Sequence, residues 1–365
     1  PFFTGALADR MGFRNGLMLA FALLTVGYGT LGVFNTLGPV LVGLFTIVVG
    51  GAFVKPIITG TVSKSSDSTN RARAFSIFYM VVNIGSFTGK TIVAPMRIQM
   101  GVDTVPYFSS AASLVALIFY PPDDGEEQPK NLRETLQGMW MAMSNLRFLA
   151  LILITAGFWA IQGQLYASMP DYVLRMAGET YKPEWYANVN PLVVVLFVVA
   201  ITQLVRKWKP QNSMLVAMGM IPLSSLAMAS SSWFSGNVHI FGIEVHPITL
   251  MMVIGIASQG LAECFLSTNW LEFASKQAPR GNERVFLGFA HINTFFAWIF
   301  GFIFSGFLLK KYCPEPATLA PDVAEQHALW LQGQAAIPEA YAHANYLWYA
   351  YCGVGLISFV LLVVY

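Results

Sequence analysis

Gly5-Ala6-Leu7-Ala8-Asp9-Arg10-Met11-Gly12-Phe13-Arg14 sets small residues and three charges directly before an apolar run of about residues 16 to 37. Glycine and alanine let two helices turn back on each other closely. An aspartate flanked by arginines at helix ends can pair with a neighbouring helix in one state and release it in another. The other reading of the same residues is an ordinary basic loop. The first reading makes the segment a hinge beside a long apolar helix.

Outward from that hinge, ten runs are long enough for a bilayer. A hydrocarbon core about 30 Å thick needs roughly 20 apolar residues at 1.5 Å each. The runs lie near 16–37, 39–63, 72–95, 104–120, 147–172, 186–205, 212–231, 246–275, 283–309 and 342–365. The expected fold class is therefore all-α, a polytopic membrane protein. Composition agrees: 55% of the 365 residues are hydrophobic and 11% are charged, where soluble chains carry about 25% charged residues. The net charge of +2 is nearly balanced, so no basic footprint for nucleic acid is present. Cys264, Cys313 and Cys352 have no paired spacing, so neither a disulfide framework nor a metal site follows.

The charged interruption Pro121 to Asn145 separates four runs from six. Asn131 and Glu134 have the spacing of a helix cap, and Leu132, Leu136, Met139 and Met143 recur at helical spacing. Either a short amphipathic surface helix or a lead-in to the next span fits. The expected organisation is an N-terminal bundle over 1–120, a linker over 121–146 and a C-terminal bundle over 147–365. Alternating the spans from a cytoplasmic Arg10–Arg14 loop puts 14 of the 21 basic residues inside and five outside, namely Arg97, Arg175, Lys182, Lys310 and Lys311. That bias is the positive-inside pattern. The Pro- and Ala-rich stretch after Lys311 is then external and carries no evident chemistry.

The opening segment resembles the G-x-L-A-D-R-x-G-R/K loop between the second and third helices of major facilitator transporters. The resemblance implies that the ten runs are helices three to twelve of twelve, with the first helix and most of the second outside the sequence given. Further stretches resemble the proton-coupled oligopeptide transporters: Gly51-Ala52-Phe53-Val54-Lys55-Pro56, Phe78-Tyr79-Met80-Val81-Val82-Asn83-Ile84-Gly85-Ser86, Asn190-Pro191, and Gly260-Leu261-Ala262-Glu263 followed by Leu271-Glu272-Phe273 and Ala278-Pro279. The matches fall in both halves. They imply proton-coupled uptake of di- or tripeptides or related small zwitterions by a multi-pass protein of a prokaryotic inner membrane, acting as a monomer. The energy source would be the proton gradient, and no cofactor is expected. Export of another small molecule and peptide binding without transport stay open.

A charge in hydrocarbon costs roughly 2.5 to 3.5 kcal/mol on insertion scales, so Lys55 and Glu263 are functional candidates. One buried cation and one buried carboxylate suit a zwitterion. The resemblance assigns Lys55 to the peptide carboxylate and Glu263 to its amino terminus, in one shared aqueous chamber, with Tyr79, Asn83, Gln164 and Asn190 as neighbours. Lys55 could instead snorkel to the surface, and the asparagines could only bridge helices. Asp9, Arg10, Lys90, Asp171 and Glu272 are read as gating or coupling groups. His291 is either a proton relay or a packing histidine.

Helix seven departs from the pattern. Phe158-Trp159-Ala160-Ile161-Gln162-Gly163-Gln164 has Gly163 where the relatives carry an acid before the glutamine. Asp171 lies two turns farther on, as a weak substitute or a helix cap. Lys90 adds a cation where relatives have an apolar residue or proline. A more positive cavity would favour more anionic substrates.

Overall fold

The computed structural model describes residues 4, 7, 11–66, 70–119, 137, 140–234, 236–277 and 283–365. Asp9, Arg10, the side chain of Glu272 and the linker cap at Asn131 and Glu134 lie outside the described residues. Among the described residues, nine helices are long and apolar enough to cross a membrane, and Thr104–Ile118 is a shorter apolar helix. The ten expected runs are thus all helical at their centres.

In chain order the helices are α1 Phe13–Val33, α2 Leu37–Lys64, α3 Arg71–Met100, α4 Thr104–Ile118, α5 Leu146–Gln162, α6 Ser168–Ala177, α7 Pro183–Val205, α8 Pro210–Ala229, α9 Pro247–Gln277, α10 Glu283–Ala290, α11 Ile292–Tyr312, α12 Pro321–Leu331 and α13 Tyr346–Val364. Proline opens α7, α8 and α12, a position where its missing N–H costs nothing and its fixed φ is already helical. Gly178 ends α6 with φ 94°, a backbone setting that a Cβ would strain. A hairpin, β1 Val238–Ile240 with β2 Ile243–Val245, joins α8 to α9.

The chain divides into two compact units. One comprises Pro1–Phe78, Gly89–Leu149 and Leu271–Ile292; the other comprises Tyr79–Thr88, Ala150–Trp270 and Asn293–Tyr365. The centre of α3 therefore groups with the C-terminal helices, and the end of α9 with the N-terminal ones.

In the first unit α1 and α2 pack through a seam of small residues. A Cβ on Gly27 would come within 3.0 Å of the Gly43 carbonyl, and one on Gly50 within 3.0 Å of the Ala20 carbonyl. In a membrane such close backbone approach supplies the dispersion that hydrophobic exclusion cannot. Leu17, Ala20, Phe53 and Ile57 fill the seam's end. Pro56 lacks the N–H that would bond Ala52, and the Thr4 hydroxyl donates to that carbonyl instead, at 2.6 Å.

In the second unit the expected span 147–172 is not one helix. It ends at Gln162, tightens into a 3₁₀ turn over Gly163–Leu165, and resumes as α6 at Ser168. Glycine is a poor helix former, and the Gln164 side-chain amide donates to the Ala160 carbonyl at 2.7 Å, drawing that acceptor from the helical ladder. The run 283–309 is likewise broken by a turn at His291 between α10 and α11. The Pro- and Ala-rich stretch after Lys311 contains α12. Its His327 ring stacks on Tyr341 at 4.3 Å and bonds the Arg175 carbonyl at 2.7 Å.

Candidate functional site

Glu263 sits midway along α9 and is 8% exposed. Two amides aim at its Oε2. The Gln162 Nε2 donates from the last residue of α5 in a short hydrogen bond, and the Asn190 Nδ2 donates from α7 at 3.4 Å. Asn190 reaches this far because α7 and α9 run close. A Cβ on Gly260 would lie 3.1 Å from the Asn190 carbonyl, tighter than ordinary van der Waals contact. Pro191 follows within the helix.

The Gln162 amide leaves its acceptor over. Gln162 Oε1 is buried without a hydrogen-bond partner among the described residues. Gln259, one helical turn before Glu263 on the same face, is 1% exposed, and its Oε1 also has none. Unpaired buried carbonyls cost about 1–3 kcal/mol each, and they mark where a donor is wanted. A carboxylate flanked by such acceptors is a receptor for N–H groups, best of all for a positively charged one.

Gln162 was not singled out by sequence reasoning; its neighbour Gln164 was. The structure separates their jobs. Gln164 donates to the carbonyls of Ala160 and Gly301 at 2.7 and 3.3 Å and accepts from the Ser168 hydroxyl at 2.8 Å, while Ser168 meets Ser305 at 2.6 Å. That knot fastens α5 and α6 to α11. Helical position could have found Gln162, since Gln164 falls beyond the helix end and turns away.

Tyr79, in the part of α3 that belongs to this unit, packs against the cluster of Val194, Val198, Ile201, Val205 and Cys264, and both Tyr79 and Tyr166 lie within electrostatic reach of Glu263. Asn83 is buried, and its Nδ2 donates to the Tyr79 carbonyl at 2.9 Å. One of its two N–H donors is thus used on its own helix. Asp171 pairs with Arg175 at 3.1 Å within α6, so its charge is already matched rather than standing in for the missing acid. Gly163 is not demanded by packing: a Cβ there would meet Phe302 and Trp298 at 3.8 Å, ordinary contact.

Lys55 and Lys90 belong to the first unit. Lys55 is exposed, beside Pro56, with the Thr59 hydroxyl on its carbonyl at 2.8 Å. His291 lies within electrostatic reach of Lys55, and its buried Nε2 has no hydrogen-bond partner among the described residues. No cluster of three or more His, Cys, Asp or Glu able to hold a metal ion occurs among the described residues.

Residues 1–302 match the profile of the Major Facilitator Superfamily. Among curated relatives, the multidrug resistance protein MdtH of Cronobacter sakazakii is 27% identical over 194 residues, 50% of this chain and 46% of that protein. The MdtH of Aeromonas salmonicida is 23% identical over 185 residues, with the same shares. The di-/tripeptide transporter of Lactococcus lactis subsp. cremoris is 33% identical over 118 residues, 32% of this chain and 23% of that protein. The chain spans about half the length of the first two relatives. Among solved structures, a mutant of the peptide transporter POT in complex with alafosfalin superposes with a TM-score of 0.67 at 20% identity, over 98% of this chain and 81% of that one. A proton-dependent oligopeptide transporter, studied for substrate recognition, gives 0.68 at 16%, over 99% and 86%. These likenesses bear on the fold.

Proposed function

The chain belongs to the major facilitator superfamily, and on that premise we propose that it is an alternating-access secondary transporter taking up small zwitterions of the di- or tripeptide class. The observation that carries this reading is Glu263, a buried carboxylate held by Gln162 and Asn190 beside the unpaired Gln162 carbonyl oxygen. A substrate ammonium supplies the missing donors and neutralises the carboxylate, a combination that a neutral or anionic group cannot offer.

The role of Lys55 toward the substrate's carboxylate rests on the sequence resemblance alone. So does the coupling to protons, which in this reading uses Glu263 as an exchangeable carboxyl: protonated it loses its hold on the ammonium, ionised it regains it. Gly163, which stands where the resemblance expects an acid, removes a negative charge beside Gln162, which favours dipeptides that carry an additional acidic side chain.

A second reading is export of another small molecule, supported by the similarity to MdtH proteins and by the glycine at position 163. Uptake of a fluorescent dipeptide into proteoliposomes, with and without an inward proton gradient, separates the two. The peptide reading expects accumulation that the gradient enhances. Absence of uptake together with efflux of preloaded dye would favour export.

A further inference from the structure

At the start of α9, well before Glu263 on that helix, the ends of four helices of the second unit surround a cleft of about 420 Å³. Tyr172 and Met176 come from α6, Ser231 and Ser232 follow α8, His246 to Ile248 lead into α9, and Ala344 and Asn345 precede α13. Trp330 of α12 forms a further wall. The volume lies within the roughly 300–1,000 Å³ range of small-molecule pockets.

The walls are built rather than incidental. Arg175 Nη1 donates to the Cys313 carbonyl at 2.6 Å, the Tyr341 hydroxyl donates to the Pro314 carbonyl at 2.8 Å, and His327 is held between Tyr341 and the Arg175 carbonyl. These contacts pin the segment that carries Trp330, Tyr341 and Ala344 onto α6. Across the cleft Asn345 Nδ2 donates to Ser232 Oγ at 2.9 Å, and Asn237 Nδ2 donates to Glu244 at 2.9 Å.

The chemistry of the walls selects the ligand. Among the described residues no Asp, Glu, Lys or Arg lines the cleft, so an ion entering it would lose water without gaining a counter-charge from its walls. The rings of Tyr172, Phe234, Trp330 and Tyr341 offer aromatic faces and edges. The amides of Asn237 and Asn345 and the His246 imidazole supply hydrogen-bonding groups. Burial lowers the affinity of His246 for a proton, and its Nδ1 accepts from the Ile248 N–H at 3.3 Å, which leaves Nε2–H as a donor.

We propose that this cleft is a second small-molecule site, distinct from the Glu263 site, that takes an uncharged aromatic compound bearing a hydrogen-bonding group. Its floor is α6, which the Gly163–Leu165 turn joins to Gln162, so a bound compound rests on the same broken span that positions Glu263's partner.

The test uses 5-fluoroindole as probe and the intact protein in nanodiscs, read by fluorine NMR line broadening against empty nanodiscs. The expected result is saturable binding that weakens at least ten-fold in Ala342→Trp, which fills the cleft from an exposed position, and in Trp330→Leu, which removes an aromatic wall. His239→Trp, on the hairpin outside the cleft, and Glu263→Gln should bind as the parent does. Absence of saturable binding to the parent overturns the proposal. So does parent-like binding by either cleft variant, or loss of binding in Glu263→Gln, which would place the probe at the transport site instead.

Discussion

Gln162 and Glu263 stand 101 positions apart in sequence, and their side chains meet in a buried hydrogen bond with the glutamine amide donating to the carboxylate. The bond fixes the carboxylate while the other end of the same amide stays unpaired. Replacing Gln162 by Ala removes an orienting donor and a substrate acceptor together. Hydrogen bonds to charged groups contribute about 1.5–3 kcal/mol, so the KM for dipeptide uptake should rise about 10- to 100-fold, with little change in melting temperature. An unaltered KM would show that the amide plays no part in binding.

The neighbouring Gln164 predicts the opposite split. Its amide ties α5 to α11 and to Ser168, and Ala there removes both links and breaks the knot. A loss of about 1–3 kcal/mol in stability is expected, seen as a lower melting temperature in detergent with KM unchanged. A KM effect as large as that of Gln162→Ala would reverse the two assignments.

Helix packing in the second unit gives a test independent of transport. A Cβ on Gly157 of α5 would collide with the Ser358 hydroxyl of α13. Gly157→Ala should therefore destabilise by about 1–3 kcal/mol, the usual cost of overpacking. Adding Ser358→Gly should recover most of the loss, and failure of that rescue would argue against the α5–α13 contact.

The span pattern and the superfamily were legible in the sequence because each rests on a local signal, an apolar run or a spaced motif. What escaped has a physical reason in each case. The break at Gly163–Leu165 depends on the Gln164 side chain capturing the Ala160 carbonyl, an event that hydropathy does not register. Gln162 was passed over because motif spacing drew attention to Gln164, whereas the helix end decides which of the two faces Glu263. The order of the Pro- and Ala-rich segment after Lys311 has no local signal either, because it comes from a few long-range contacts at His327, Tyr341 and Arg175.

Those contacts also bury Cys313, whose thiol burial pushes up to about 12 despite the opposing pull of Arg175. With the folded value above the free one, almost no thiolate is present at neutral pH, and it gains only as pH rises toward that value. Cys313 should therefore resist N-ethylmaleimide at pH 7.5 and react once the protein is unfolded, as peptide mass mapping would show. Rapid labelling of the folded protein would mean that the segment is not packed as described.

In the proposed function Glu263 reads a substrate's positive amino group. Uptake of dialanine and of N-acetyl-dialanine into proteoliposomes, by the parent and by Glu263→Gln, measures it directly. Acetylation should cut transport by the parent at least ten-fold, Glu263→Gln should lose as much on dialanine, and combining the two should add little. Equal transport of both compounds by the parent, or full activity of Glu263→Gln on dialanine, would contradict the account.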